Sequence, residues 1–533
     1  MRWSAASAMH WPFDAEQGAQ DRLLPRWLFL RALGIIYFSA FYSLLFQIRG
    51  LIGPDGILPA GPYLQAVAHS LGPWLRIWYA PTLLWWSNGN GMLNALCWAG
   101  LAASVLLILN VWPRGMLAIC FVLFLSFIAA AQDFASYQSD GMLLEAGFLS
   151  LFLAPPRLRP RFARWYPGPR ASWFLLLWEW FRIYFESGVV KLASGDPEWR
   201  HFTAMDEYYQ NGPLPTWIGW YVQHLPHWFH AATVAATLAL ELGLVCMLFL
   251  PRRFRIICFF IVTPWQIGVI LTANYTFLNY LVLSLGVFLL DDRFILGILP
   301  SRWSTRLRNR FTLADTTLSS EGSRQRLRRP WEISRLSVTA VMLVWIFYAT
   351  TAEMLGNAHL PSAPVIALEP FRIANQYGLF AVMTRGRYEI EFQGSNDGQD
   401  WVPYPFRYKP QALNQPPRIY APYQPRFDWN LWFASLGSWR DYRIVPNTEV
   451  RLLSNDKDVL ELFAGNPFSS QPPREIRVLL WQYWFTTLQE KRRTGMWWRR
   501  ELLGLYAPTL EKMPDGQINV VEWPTAPPKE RED

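Results

Sequence analysis

One apolar stretch carries more charge than a lipid-facing helix tolerates. Trp178-Glu179-Trp180-Phe181-Arg182-Ile183-Tyr184-Phe185-Glu186-Ser187-Gly188-Val189-Val190-Lys191 places Glu179, Arg182 and Glu186 at i, i+3 and i+7. On a helix these stack on one face, so the spacing predicts a Glu–Arg–Glu ladder. Two chemistries are open. The ladder is a structural ion-pair array that fixes a helix bundle. Alternatively, Arg182, Glu186 and Lys191 form a catalytic polar site, in which burial makes the lysine a base. A lysine at a helix end also commonly snorkels to the interface. Glu145, Glu241, Gln266 and Asn274 are further polar residues inside apolar runs, and Asp140 flanks one. Glu179, Glu145 and Glu241 are expected to join a structural polar core.

His224, His227 and His230 form His-x2-His-x2-His, which invites a metal reading. Pro226 interrupts the helical face, and no carboxylate or cysteine completes a ligand set nearby. The expectation is therefore interfacial histidines and no metal. No Walker loop, nucleotide fingerprint, Gly-x-Ser-x-Gly elbow or zincin motif is present, so no cofactor is expected. Cys97, Cys120, Cys246 and Cys258 all fall in apolar runs and read as small buried hydrophobes.

The elements that must position these residues are membrane helices. The 533-residue chain is 52% hydrophobic and 17% charged, against roughly 25% charged in soluble domains. Soluble enzymes, disordered scaffolds and collagen-like fibres are excluded. Apolar runs near 27–47, 92–112, 115–131, 141–155, 171–191, 230–250, 254–272, 276–290 and 336–353 predict about nine spans. Every second loop is rich in arginine, from Arg22 and Arg26 to the stretch holding Arg302, Arg308 and Arg329. The positive-inside rule then puts the N-terminus in the cytosol, 301–335 in a basic cytosolic loop, and everything after about 353 outside. It also accounts for the net charge of +9 without nucleic acid. No cleavable signal precedes the first run, which is read as an anchor. Residues 48–90 hold turn residues and Trp74, Trp78, Trp85 and Trp86, and read as an interfacial hairpin.

The fold class is thus an α-helical polytopic bundle over 1–353, followed by a β-rich extracytoplasmic domain over 354–533. Residues 386–394 alternate with Tyr388, Ile390 and Phe392 on one face, and Asn396-Asp397-Gly398 supplies a turn. Trp401, Tyr404 and Phe406 resume the face. Further strands are predicted at 476–487 and 496–507, and helices at 428–437 and 457–464. Gly394-Ser-Asn-Asp-Gly-x-x-Trp401 is similar to a turn of discoidin-type sandwiches, so a sandwich-like domain is expected.

FESGVVKLASGDPEWRHFTAM at 185–205, ALEPFRIANQYGLFAVMTRGRYEIEFQGSNDG at 367–398 and QPRFDWNLWFASL at 424–436 resemble the lipase maturation factors. So do Ile36-Tyr37-Phe38, the segment Leu51–Pro59 and Trp497-Trp498. The resemblance implies a multi-pass protein that, in animals, sits in the endoplasmic reticulum and helps dimeric secreted lipases assemble through a lumenal C-terminal domain. It supplies no catalytic residues. Arginine-rich loops, Arg531-Glu532-Asp533 in place of a retrieval signal, and Asn274-Tyr275-Thr276 set too near the membrane for a glycan favour a bacterial inner-membrane member. A shorter segment, Ser187-Gly188-Val189-Val190-Lys191-Leu192 with Asp196 and Trp199, is similar to vitamin K-dependent carboxylase-like transmembrane domains. There a lysine in this position is the active-site base. Two functions stand: a membrane-bound folding factor for a secreted lipase-like client, and a membrane-embedded enzyme on a lipid-like substrate with Lys191 as base.

Overall fold

The computed structural model describes residues 11–15, 18–160, 166–307, 330–356 and 360–525. Much of the basic stretch expected at 301–335 lies outside them. A helix occupies each predicted apolar run: Leu23–Leu45 (α1), Asn90–Ile108 (α2), Pro113–Ile128 (α3), Gln138–Leu153 (α4), Arg170–Ala193 (α5), His227–Phe249 (α6), Arg252–Thr272 (α7), Leu278–Leu289 (α8) and Pro330–Met354 (α9). Proline sets several starts. Pro113 opens α3, while Pro169, Pro226 and Pro251 immediately precede α5, α6 and α7, where a missing N–H costs nothing and φ is already set. Five of these helices, α1, α2, α6, α7 and α9, are long and apolar enough to cross a membrane. Their apolar residues face outward as well as inward: Ile35, Phe38 and Tyr42 on α1 are exposed while Phe29, Leu33 and Phe41 are buried. A helix apolar on all sides belongs in apolar surroundings. Cys246 departs from the buried-cysteine expectation, lying exposed on α6.

The two ends of the bundle differ. At one end the arginine-bearing connections meet one another. Arg114 donates to the Ala154 carbonyl at 2.7 Å, Arg252 pairs with Asp291, and Asp292 accepts the Leu23 and Leu24 amides at 3.0 and 2.7 Å. At the other end sits the C-terminal domain. Residues 48–90 also lie there, as short helices Ile48–Ile52, Ala60–Ser70 and Pro73–Tyr79; Trp74 and Trp86 are 86% and 81% exposed.

The C-terminal domain is one antiparallel sheet of Arg387–Ser395 (β1), Val402–Pro403 (β2), Glu475–Phe485 (β3), Trp498–Lys512 (β4) and Ile518–Glu522 (β5), in the order β2-β1-β3-β4-β5. The second sheet of a sandwich is not there among the described residues. In its place Arg426–Ser435 (α10) packs on β1, and Ile444–Leu453 (α11) on β3 and β4. The sandwich reading is corrected because a short turn motif does not encode what covers a sheet. The turn itself forms as its chemistry requires: Asp397 accepts the Gln399 and Asp400 amides at 2.9 Å, and Gly398 takes φ +72°. Tyr388, Ile390 and Phe392 are buried together, but so are Arg387, Glu389 and Glu391 on the opposite face. Lys409 reaches Glu389 at 2.9 Å, and Arg387 donates to the Gln210, Gly212 and Pro213 carbonyls of the α5–α6 connection. The sheet therefore has no solvent face at β1.

Glu449 on α11 is fully buried, and neither carboxylate oxygen has a hydrogen-bond partner. Burial pushes this carboxyl well above its ordinary range, so the folded state keeps a proton that the unfolded chain releases. That stability is full below the unfolded carboxyl's range and is lost as pH rises toward the folded value. Glu449→Met is expected to raise stability at neutral pH by about 1–3 kcal/mol. The gain, read by thermal unfolding in detergent, should shrink between about pH 8 and about pH 5.

Candidate functional site

The charged face of α5 is real, but its partners come from elsewhere. Arg182 is fully buried and pairs most closely with Glu145 of α4. Its guanidinium also donates to the Asn375 carbonyl at 2.6 Å, and stands 4.0 Å from Glu186. The fork geometry of arginine suits such a crowded set of acceptors. Glu179 does not complete the expected ladder. It is fully buried with neither oxygen hydrogen-bonded.

The segment that follows α9 closes this cluster. The Tyr377 hydroxyl and the Asn375 side-chain amide both donate to Glu145 at 3.0 Å. The Tyr377 backbone N–H donates to Glu186 at 2.6 Å, and the Tyr377 ring lies 5.1 Å from the Arg182 guanidinium. Residues 373–380 are thereby threaded onto α4 and α5 by a dense polar knot. Asn375 and Tyr377 were missed in the sequence because they sit in an aperiodic run beyond the last span. Their only signal was a polar Asn-Gln-Tyr placed between two apolar stretches.

Lys191 belongs to a second cluster. Its Nζ lies 2.8 Å from both oxygens of Glu241 and 5.1 Å from the Trp199 ring centroid. It does not snorkel: lysine and partner are both buried. Two backbone features make the pair possible. Ala239–Gly243 widens α6 into a π-helical turn that presents Glu241. Gly188 lets this turn approach α5, since a Cβ there would stand 2.9 Å from the Glu241 Cβ. The single polar core expected from the sequence is thus two separate groups, Glu145–Arg182–Glu186 and Lys191–Glu241. Lys191, Glu186 and Arg182 line none of the five main cavities. Lys191–Glu241 is a balanced buried pair, whereas in the first group one guanidinium serves two carboxylates, Glu145 and Glu186.

A third buried pair joins the two parts of the chain. Arg426, opening α10, binds Asp140 of α4 through two contacts of 2.7 Å, donates to the Phe134 carbonyl at 2.6 Å and lies over Tyr137. Gln47, just past α1, accepts the Arg426 amide at 2.8 Å and donates to the Gln424 carbonyl at 2.9 Å. Asn274 accepts the Tyr420 amide at 2.7 Å and donates to Arg418 and Leu214 carbonyls. The domain is docked through groups that would otherwise be buried without partners.

Residues 24–297 match the lipase maturation factor transmembrane domain, and residues 373–508 match the lipase maturation factor C-terminal domain. The chain belongs to the lipase maturation factor family. It is 33% identical to lipase maturation factor 2 of Gallus gallus, over 91% of this chain and 81% of that one. It is 31% identical to lipase maturation factor 2 of Homo sapiens, over 91% and 82%. With lipase maturation factor 1 of Bos taurus it shares 31% over 95% and 92%. No solved structure matches the chain.

The histidines of this lipase maturation factor family member do not converge. His224 bonds the Trp220 and Thr486 carbonyls, His227 bonds Asp206, and His230 is buried with neither ring nitrogen partnered. Among the described residues no three His, Cys, Asp or Glu side chains are placed to hold a metal ion. The three rings have separate surroundings: His224 is tied to Thr486 of the C-terminal domain, and His230 lies beside Tyr209 of the α5–α6 connection.

Proposed function

We propose that this protein is a membrane-embedded maturation factor for secreted, lipase-like clients, with its C-terminal domain held at the extracytoplasmic ends of about nine spans. The family membership carries the reading. The distribution of arginines supports the sidedness: the basic connections cluster at the end of the bundle away from the sheet domain. A bacterial inner membrane is the proposed location, with the endoplasmic reticulum membrane as the counterpart in a eukaryote. The short helix Pro73–Tyr79, with exposed Trp74, Leu75, Ile77 and Trp78, is proposed to lie at the membrane surface. The client-facing surface is proposed to be the far edge of the sheet. There Ile518, Val520, Val521 and the following Trp523 are all exposed. An edge strand presenting apolar side chains suits transient capture of an unfinished chain.

In this proposal Lys191 is half of a structural ion pair, a role supported by its contacts of 2.8 Å with both oxygens of Glu241. In cells lacking the protein, the specific activity of a secreted lipase is the readout. Lys191→Met/Glu241→Met, which removes both charges of the pair, is expected to restore it to within about twofold of wild type. Lys191→Met alone strands Glu241 and is expected to reduce the amount of folded protein. Loss of lipase maturation in a stably folded double variant would return Lys191 to a chemical role.

A further inference from the structure

Between the bundle and the sheet domain lies a cavity of about 510 Å³, separate from both charged clusters. Its walls come from the α3–α4 connection, the ends of α7 and α8, the threaded segment 378–384, and α10. Tyr137, Tyr208, Phe380, Trp429, Trp432 and Phe433 make it aromatic, and among the described residues no Asp, Glu, Lys, Arg or His lines it. Its size falls within the range of roughly 300–1,000 Å³ typical of small-molecule sites.

The cavity is not simply an apolar gap. Trp429, Thr276 and Asn279 are among its lining residues, and Trp429 Nε1, Thr276 Oγ1 and Asn279 Nδ2 are each buried with no hydrogen-bond partner. The three residues are 8%, 1% and 5% exposed. A buried donor left unpaired is costly, and such groups are ordinarily satisfied. The Asn279 amide is oriented from behind: Tyr184 donates to Gln266 at 2.6 Å, and Gln266 donates to the Asn279 carbonyl oxygen at 2.7 Å. Trp429 Nε1 and Asn279 Nδ2 can only donate, and the threonine hydroxyl can do so too. Two of the lining residues, Thr276 and Phe380, hold φ of +53° and +58°. Left-handed backbone at a β-branched and a bulky residue is a feature that gathers around ligand sites.

These observations point to a ligand of one chemical kind. It offers hydrogen-bond acceptors and no required donors, it carries no charge, and it is otherwise apolar. A polypeptide segment brings an N–H with nearly every carbonyl, and these would need acceptors in turn. A fatty acid or a phospholipid headgroup would bring charge into a site with none to meet it. We propose that this cavity binds a neutral, ester-linked acyl lipid of the diacylglycerol type, with its chain among the aromatic rings and an ester carbonyl facing Trp429, Thr276 and Asn279. Val269 of α7 and Leu278 of α8 carry one wall into the helical region, giving the chain an apolar path. This site stands whatever the identity of the client.

The test uses the full-length protein in detergent and three diazirine-bearing probes with the same acyl chain: a diacylglycerol, a phosphatidylcholine and the free fatty acid. The expected result is labelling by the diacylglycerol probe within 269–279 or 429–436, competed by unlabelled diolein, with much weaker labelling by the other two. Trp429→Phe/Thr276→Val removes two of the donors, the threonine change keeping shape and the tryptophan change leaving a smaller aromatic ring, and should cut that labelling about tenfold. Thr276→Val alone should leave the melting temperature without lipid unchanged or higher, since one unpaired polar group is gone and no volume is lost. Val382→Trp, at an exposed position on the lining, should lower labelling without touching the buried donors. Equal labelling by phosphatidylcholine or fatty acid would overturn the proposal. So would full labelling of the double variant, or displacement of the probe by an apolar peptide and not by diolein.

Discussion

Arg426→Met is expected to destabilise the docked C-terminal domain by about 3–5 kcal/mol, the cost of stranding one member of a buried ion pair. Asp140 would keep its charge with no cation near it, and the Phe134 carbonyl and Tyr137 ring would lose their contacts as well. The substitution should expose the segments that α10 secures, so limited proteolysis of the purified protein should cut between the bundle and the sheet far faster than in wild type. Arg426→Met/Asp140→Leu should recover most of the loss, because it removes the uncompensated carboxylate. Equal resistance of wild type and the single variant would mean that the domain is held by other contacts.

Arg182→Met should be the most damaging single change within the bundle. It leaves Glu145 and Glu186 without their cation, beside a Glu179 that already has no hydrogen-bond partner. A loss of about 3–5 kcal/mol is again the expectation, seen as a large drop in the fraction of monodisperse folded protein recovered in detergent. Arg182→Lys should rescue only in part, since an ammonium cannot serve Glu145, Glu186 and the Asn375 carbonyl with one planar fork. Arg182→Met/Glu145→Gln should recover more than Arg182→Lys, as a neutral amide can still accept from Asn375 and Tyr377. If all three variants are equally mild, the knot is dispensable.

The helical runs were legible because hydrophobic length is a local property, and so were the strands at 386–394 and 476–487, which follow a period of two. Helix α11 was not foreseen, and neither was the covering of β1 on both faces, because these depend on what packs against the sheet. At the polar sites, the spacing of Glu179, Arg182 and Glu186 announced a charged face on α5 but not its partners. Glu145 arrives from another helix and Asn375 and Tyr377 from a loop nearly two hundred residues downstream in the chain, as the 3.0 Å contact from Tyr377 to Glu145 shows. Lys191 is visible in the sequence as a charge at the end of an apolar run. Its partner Glu241 was visible as a polar residue in an apolar run, yet the π-helical turn that aims it has no sequence signature. The unpaired donors around the outer cavity come from three separate parts of the chain and could be recognised only once the fold had brought them together.

The most direct test of the central claim is whether a nascent client touches this protein while it matures. A photo-crosslinking residue placed at Val521, which is 52% exposed on β5, would be activated in cells during a pulse of secreted lipase synthesis. The account predicts a crosslink to lipase that is strongest early in the chase, fades as activity appears, and is lost when the C-terminal domain is uncoupled by Arg426→Met. Full lipase activity in cells lacking this protein, with no crosslink at any time, would contradict it.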